Sequence, residues 1–477
     1  MFSIHHLRHL LRWGLAAALA ASLPVTANPL KPGGDTTLEA GRISFSEPAP
    51  GLSLDERMPF NLGDSIFDKL WVSSPASTKA SDGLGPLYNA RSCARCHLNN
   101  GRGHPPEEGA TAAINRSFLL RLSIPPRNRE EEQLLNSGQI AFIPEPTYGG
   151  QLQDQALQGL PAEGRIGVRY EEREVTFPDG ETVTLRSPHY RVEGLNYGPL
   201  HPETRFSGRV APPMIGLGLL EAIPDRELLA NEEQQVQADA EISGRVNRVW
   251  DISEQTSRLG RFGWKAGHPT INQQNAAAFI EDIGISSLVY PQGHGGCTAE
   301  QAVCRQLPNG NSEHLDGVEA SRDVMRVLEF YTRALAVPAR RNADHPAVKA
   351  GENLFHQVGC AQCHRPSYTT SADAPAFLAE QTIWPYTDLL LHDMGDGLAD
   401  EHPEFQAGGS EWRTPPLWGV GLTQAINGHS QLLHDGRARN IMEAILWHGG
   451  EAETVKNRFM QLTREQRLSL IEFVESL

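Results

Sequence analysis

The sequence predicts a mainly α fold built from two similar units, with long loops and a β-hairpin-containing insertion. Three observations predict it. A pentad Cys-x-x-Cys-His occurs twice, at Cys93–His97 and Cys360–His364, and each marks the centre of one unit. Apolar periodicity and capping signals place helices around the second pentad and before its unit. The 45 glycines and 33 prolines interrupt the chain too often for long elements, so irregular connections must join short ones. At 477 residues the chain exceeds what one core usually fills. The expected division is a leader over residues 1–27, a first unit with the insertion over 28–340, and a second over 341–477.

The elements follow in order. Arg8 and Arg12 precede an apolar run, Trp13 to Leu23, followed by Pro24 and Val25-Thr26-Ala27. A basic start, a short apolar stretch and small residues before a cleavage point form a signal peptide. The run is too short to be a good transmembrane helix, so the mature chain is expected to be periplasmic and not integral to a membrane. Residues 29–60 read as irregular. Gly83 to Asn89 reads as a loop delivering the first pentad, and the Gly- and Pro-rich run Asn99 to Pro106 cannot continue as a long helix. Residues 165–193 are β-like: Val175 and Phe177 precede Pro178-Asp179-Gly180, and Val183 and Leu185 follow, a hairpin signal. Residues 318–336 form an amphipathic helix with Val324, Val327, Leu328 and Tyr331 on one side, ended by Pro338. His345 to Gly359 makes a helix running into Cys360. Thr463-Arg-Glu-Gln466 is a capping box opening the last helix, Arg464 to Leu477. Beyond the pentads no close repeat is evident.

The net charge of −16 has no basic stripe set against it, which excludes a nucleic-acid binder. An acidic surface suits a basic protein partner as well as simple solubility.

The pentads carry the chemistry. Two cysteines two residues apart lie on one helical turn and can form thioethers to the two vinyl groups of one haem. The next residue, His97 or His364, then lies under the ring as the proximal iron ligand. A thiol-disulfide site needs no histidine and wants a βαβ context, and a zinc site would need the two distant pairs to meet. The chain therefore reads as two covalent c-type haems, held by Cys93 and Cys96 and by Cys360 and Cys363, in two cytochrome-c-like domains. Cys297 and Cys304 have no adjacent histidine. In an exported chain a local disulfide is the expectation, with a redox-active one as the sharper alternative.

Further segments carry a resemblance: Gly33 to Thr37, Gly83 to Asn89, Ala211-Pro-Pro-Met-Ile-Gly-Leu-Gly-Leu-Leu-Glu221, Arg261-Phe-Gly-Trp264, Asp388-Leu-Leu-Leu-His392-Asp-Met-Gly395, Glu411-Trp-Arg-Thr-Pro-Pro-Leu-Trp418, and His434-Asp-Gly-Arg-Ala438 with Glu443 to Ala452. From about residue 33 to 475 the chain resembles the bacterial dihaem oxidoreductases once labelled thiol oxidoreductases, relatives of the dihaem cytochrome c peroxidases. The resemblance implies reduction of hydrogen peroxide with electrons from a small redox protein, one haem receiving them and the other cleaving peroxide. It also implies a homodimer in some relatives.

Carried over residue by residue, it makes His448 the sixth ligand of the second haem, where the peroxidases have methionine, with Met394 and His392 as rivals. Trp264 and Gln274 match a tryptophan and a glutamine between and beside the haems. The acid–base carboxylate is Asp282 or neighbouring Glu281, with Glu221 as rival. Arg413-Thr414-Pro415-Pro416 is similar to a segment offering carbonyls to calcium, a chemistry that suits that ion. The first haem's other face is open, or closed by one of His104, His189, His201, His268, His294 and His314. Two other readings stand beside the peroxidase: an electron carrier with both irons closed, and a haem-based oxidant of a protein partner.

Overall fold

The computed structural model describes residues 28–109, 117–238 and 241–477. The leader reading lies outside them. The expected mainly α, cytochrome-c-like architecture is overturned: the structure is 32% helix and 18% strand, with 12 helices and several small sheets among the described residues. The reason lies in the middle of the chain. All the sheets among the described residues are two-stranded antiparallel pairs, and the two largest, Phe118–Ser123 with Arg205–Val210 and Arg165–Thr176 with Thr182–Glu193, fall between residues 118 and 210.

The hairpin is much longer than its turn signal showed. Thr176 faces Thr182 across a loop in which Gly180 adopts φ +88°, a conformation that favours glycine. Nor is it a free-standing insertion. Ile166 and Val168 are buried at its base, whereas Phe177 and Leu185 at its tip are buried among residues 348–477. Arg467, on the last helix, donates to Asp179 (2.7 Å) and Glu181 (2.6 Å), and Arg186 donates to the Arg437 carbonyl (3.1 Å). The hairpin braces the two halves together. A second cluster also crosses residue 340, joining Phe45, Ile215 and Leu219 to Tyr368, Leu389 and Trp418.

The helices repeat one construction twice. Leu54–Asp68, capped by Ser53, packs on Arg322–Ala334, and Pro346–Val358 packs on Arg464–Ser476. At the first crossing a Cβ on Gly63 would collide with the Val327 carbonyl oxygen and the Tyr331 Cβ. At the second a Cβ on Gly351 would meet the Ser469 carbonyl oxygen and the Phe473 Cβ. Four residues after each glycine a phenylalanine packs on that aromatic, Phe67 on Tyr331 (5.4 Å between centroids) and Phe355 on Phe473 (5.1 Å). The buried face of 322–334 centres on Met325, Leu328 and Tyr331, with Val324 and Val327 at its margins. Thr463 and Gln466 form the capping box of the last helix. No helix among the described residues is long and apolar enough to cross a membrane.

Candidate functional site: two histidine-bearing centres on one cavity

The first centre grows from the repeated helix pair. Phe67 presents its ring 6.1 Å from that of His97. Cys93–Arg95 is a single 3₁₀ turn, closed by Cys96 N–H and His97 N–H donating to the Cys93 carbonyl, both 3.0 Å. Both thiols therefore sit on one turn. Burial pushes the Cys93 thiol up to about 12, with the Asp282 charge adding to it, and the same two causes raise Cys96. His97 Nδ1 lies 2.8 Å from the Pro212 carbonyl. An N–H there leaves Nε2 free, the arrangement that orients a metal-binding imidazole. Burial brings His97 down to about 4, so the ring is neutral and ligand-competent.

The second centre repeats this. Gly359 ends the Pro346–Val358 helix at φ +108°, and the Cys360–Gln362 turn follows at once. His364 N–H donates to the Cys360 carbonyl (2.9 Å), Nδ1 lies 3.0 Å from the Tyr386 carbonyl, and Phe355 sits 6.3 Å from the ring. Burial, then the neighbouring His448, bring His364 down to about 4.

His448 is what the first centre lacks. It caps the short helix Ile441–Trp447, its Nδ1 lies 2.7 Å from the Ala444 carbonyl, and it is half-buried, with desolvation lowering its pKa so that the ring is neutral. Thus His448 shows the same anchored Nδ1 and free Nε2 as His97 and His364. His392 does not: its nitrogens are taken by Glu451 (2.8 Å) and Asp388 (2.9 Å), and Asp388, followed by Cys363, raises its pKa well above the ordinary histidine value against burial. Met394 lines the cavity beside it.

Both pentads line one continuous cavity, together with Trp264, Gln274, His268, Asp282 and His448. Trp264 is buried and fixed twice, its Nε1–H donating to the Val210 carbonyl and its carbonyl accepting from Arg413 N–H, both 2.9 Å. Arg102 Nε and Arg209 Nη2 are buried without a hydrogen-bond partner on this lining, and Arg102 Nη2 donates to the Leu433 carbonyl. Arg209 Nη2 faces Asp400 at 3.7 Å, so Arg102 Nε is the unused donor; such a buried donor is costly unless a further acceptor meets it, and a haem propionate is an acceptor of that kind. Paired thiols on a turn, free imidazole nitrogens and a spare guanidinium donor on Arg102 fit haem.

A family model described as "Di-haem oxidoreductase, putative peroxidase" matches residues 27–477. The chain belongs to the di-haem oxidoreductase family. No curated protein and no solved structure matches it. Two haems are thus the family's cofactors, and the cavity of this di-haem oxidoreductase is where the chain offers ligands for them.

The remaining residues expected from the sequence separate clearly. Of the three carboxylates only Asp282 lines the cavity. It closes a π-helical turn, Phe279–Ile283, whose Asp282 carbonyl accepts from Asn89 and Ala90 N–H beside the first pentad. Burial pushes its carboxyl up to about 6 against the pull of Arg121, and Gln151 donates to it at 2.8 Å. Glu281 is off the lining and pairs with Arg121, which is on it. Glu221 is held by Arg333 (2.5 Å) and Ile271 N–H (2.9 Å), a brace between helices outside the lining. Gln274 points an unpartnered Oε1 into buried space.

The calcium expectation finds no suitable donor in its central residue. The Thr414 carbonyl already accepts from Thr387 Oγ1 (2.5 Å) and from the Arg413 guanidinium (3.0 Å), and a cation beside that guanidinium would be repelled. Cys297 and Cys304 are joined in a disulfide that packs on Leu87, ahead of the first pentad. Arg121, Glu404 and the orphaned polar atoms of the cavity went unnoticed in the sequence, because they converge from distant segments and carry no spacing signal.

Proposed function

We propose that this di-haem oxidoreductase reduces hydrogen peroxide at its N-terminal centre, with electrons taken up at its C-terminal centre from a small redox protein in the periplasm. Cys93 with Cys96 and Cys360 with Cys363 would hold the haems covalently, His97 and His364 would be the proximal ligands, and His448 would close the second iron. When bound, the haems supply the redox chemistry, one exchanging electrons and the other activating peroxide.

One observation carries the reading. The second centre has two anchored histidines with free Nε2 atoms, and the first has one. A centre with two such ligands is built to pass electrons, and a centre with one keeps a coordination position for substrate. Trp264, immobilised by two hydrogen bonds in the lining that both centres share, would serve as an aromatic relay for electrons passing from one to the other. Calcium has no part in this reading.

The test is steady-state oxidation of a reduced small cytochrome by hydrogen peroxide in fully haem-loaded protein. Turnover abolished by Cys93→Ala/Cys96→Ala is the expected outcome. Absence of turnover with every reduced donor tried would contradict the reading and leave an electron carrier.

A further inference from the structure

Peroxide reduction needs a group that accepts a proton from one oxygen and returns it to the other. Three carboxylates were expected to compete for that role, and the structure leaves Asp282 alone on the lining. Yet the Asp282 carboxylate is engaged by Gln151 at 2.8 Å, and its backbone carbonyl is tied to Asn89 and Ala90 ahead of the first pentad.

His268 lines the cavity too, its ring and the Gln274 Oε1 both within 4 Å of where a Cβ on Gly263 would stand, and it is differently made. Its backbone pairs with Phe262, just ahead of the Ile271–Ala278 helix that carries Gln274. Its Nδ1 is buried with no hydrogen-bond partner, and no side chain among the described residues bonds its ring. Two independent features bear on what such a histidine does. The first is the contrast with His97, His364 and His448, whose Nδ1 atoms rest on backbone carbonyls at 2.8, 3.0 and 2.7 Å. A permanent ligand is oriented by its second nitrogen, and His268 has no such anchor. The second is its charged surroundings. Arg121, on the lining, is paired with Glu281, and the adjacent Gly267 leaves room for Glu404, whose Oε2 would lie 2.8 Å from a Cβ there. Glu404 is itself paired with Arg209 at 2.7 Å.

We infer that His268 is the proton-handling residue of the N-terminal centre, working beside the Arg121 guanidinium, and that Asp282 is not. The inference rests on the peroxide reading of that centre. A proton moves from one peroxide oxygen to the His268 imidazole and on to the other oxygen. The O–O bond breaks and that second oxygen leaves as water. Two electrons from a reduced small redox protein and two protons from solvent convert the first oxygen to the second water. Burial lowers the His268 pKa below the ordinary histidine value, Glu281 and Glu404 draw it back up, and Arg121 pushes it down. The ring is therefore neutral near pH 7, the form able to accept a proton.

The decisive probe is cyanide, which arrives as hydrogen cyanide and must give up a proton to bind a ferric haem as the anion. Its on-rate to oxidised, haem-loaded protein reports proton acceptance without any turnover. His268→Gln should slow capture by about 100-fold, at the low end of general-base effects, and flatten a wild-type rate that falls as pH drops through the His268 pKa. Asp282→Asn should change the rate only a few-fold. An unchanged on-rate in His268→Gln, or the large loss in Asp282→Asn instead, would overturn the inference. So would conversion of a low-spin signal to a high-spin one in His268→Gln, which would make His268 an iron ligand. Wild-type protein that captures cyanide through His268 yet turns over no peroxide would overturn the peroxide reading and not the assignment of the proton acceptor.

Discussion

The two centres are built alike up to their proximal histidines and differ beyond them. Each has a glycine at a helix crossing, a phenylalanine four residues on, a Cys-x-x-Cys-His turn, and a histidine whose Nδ1 rests on a backbone carbonyl. At the second centre a further helix end delivers His448 with the same anchoring. The lining shared with the first centre also carries the unanchored His268, Gln274 and Arg121. One scaffold used twice thus yields two functions through what faces the proximal histidine.

The comparison breaks most visibly at the thioethers. Removing either cysteine pair should remove one covalent haem, read by mass spectrometry of the denatured chain. Both losses should abolish peroxide turnover, because neither centre works alone. Retention of two covalent haems in Cys360→Ala/Cys363→Ala would refute the attachment.

His448→Ala should make the centres alike. Carbon monoxide binding to the reduced protein should rise from about one equivalent to about two, since axial ligation decides access to the iron. Binding that stays at one equivalent would mean that His448 closes nothing.

Trp264→Phe should leave both centres intact but slow communication between them. The expectation is a loss of about tenfold or more in the rate at which electrons given to the second centre reach the first, followed by stopped-flow absorbance. The lost Nε1–H bond to Val210 should destabilise the fold by only about 1 kcal/mol. An unchanged transfer rate would take Trp264 out of the path.

The smallest effects test the shared scaffold. Gly63→Ala and Gly351→Ala should each destabilise by about 1–3 kcal/mol through overpacking against a facing carbonyl, seen as a lower Tm. If only one did so, the two helix pairs would not be equivalent.

How much of this the sequence disclosed depends on how local each feature is. The pentads were legible because thioether attachment and proximal ligation demand fixed spacing within five residues. The helix entering Cys360 and the last capping box were legible for the same reason. The repeat around them was also present, as Gly63-Asp-Ser-Ile-Phe67 and Gly351-Glu-Asn-Leu-Phe355, but it precedes the first pentad by a long loop and the second directly, so the spacing concealed it.

The helical share was overestimated because the strands pair only two at a time, and their partners, such as Phe118 and Val210, lie far apart in the chain. The hairpin's turn was visible, but its part as a brace depends on Arg467 and Phe177 meeting from opposite ends of the sequence. Asp282 and Glu281 were adjacent candidates that only a π-helical turn separates, one facing the cavity and the other Arg121. Glu221 stood in a striking sequence context and proved to be a structural tie to Arg333. His268 was one histidine among several, and nothing but its missing partner sets it apart.

On this reading one iron is closed and the other open. The most direct measurement is the low-temperature electron paramagnetic resonance spectrum of the oxidised, haem-loaded protein. It should show one low-spin signal, lost in His448→Ala, beside one high-spin signal that changes when peroxide or cyanide is added. Two low-spin signals in the wild-type protein, both surviving His448→Ala, would contradict it.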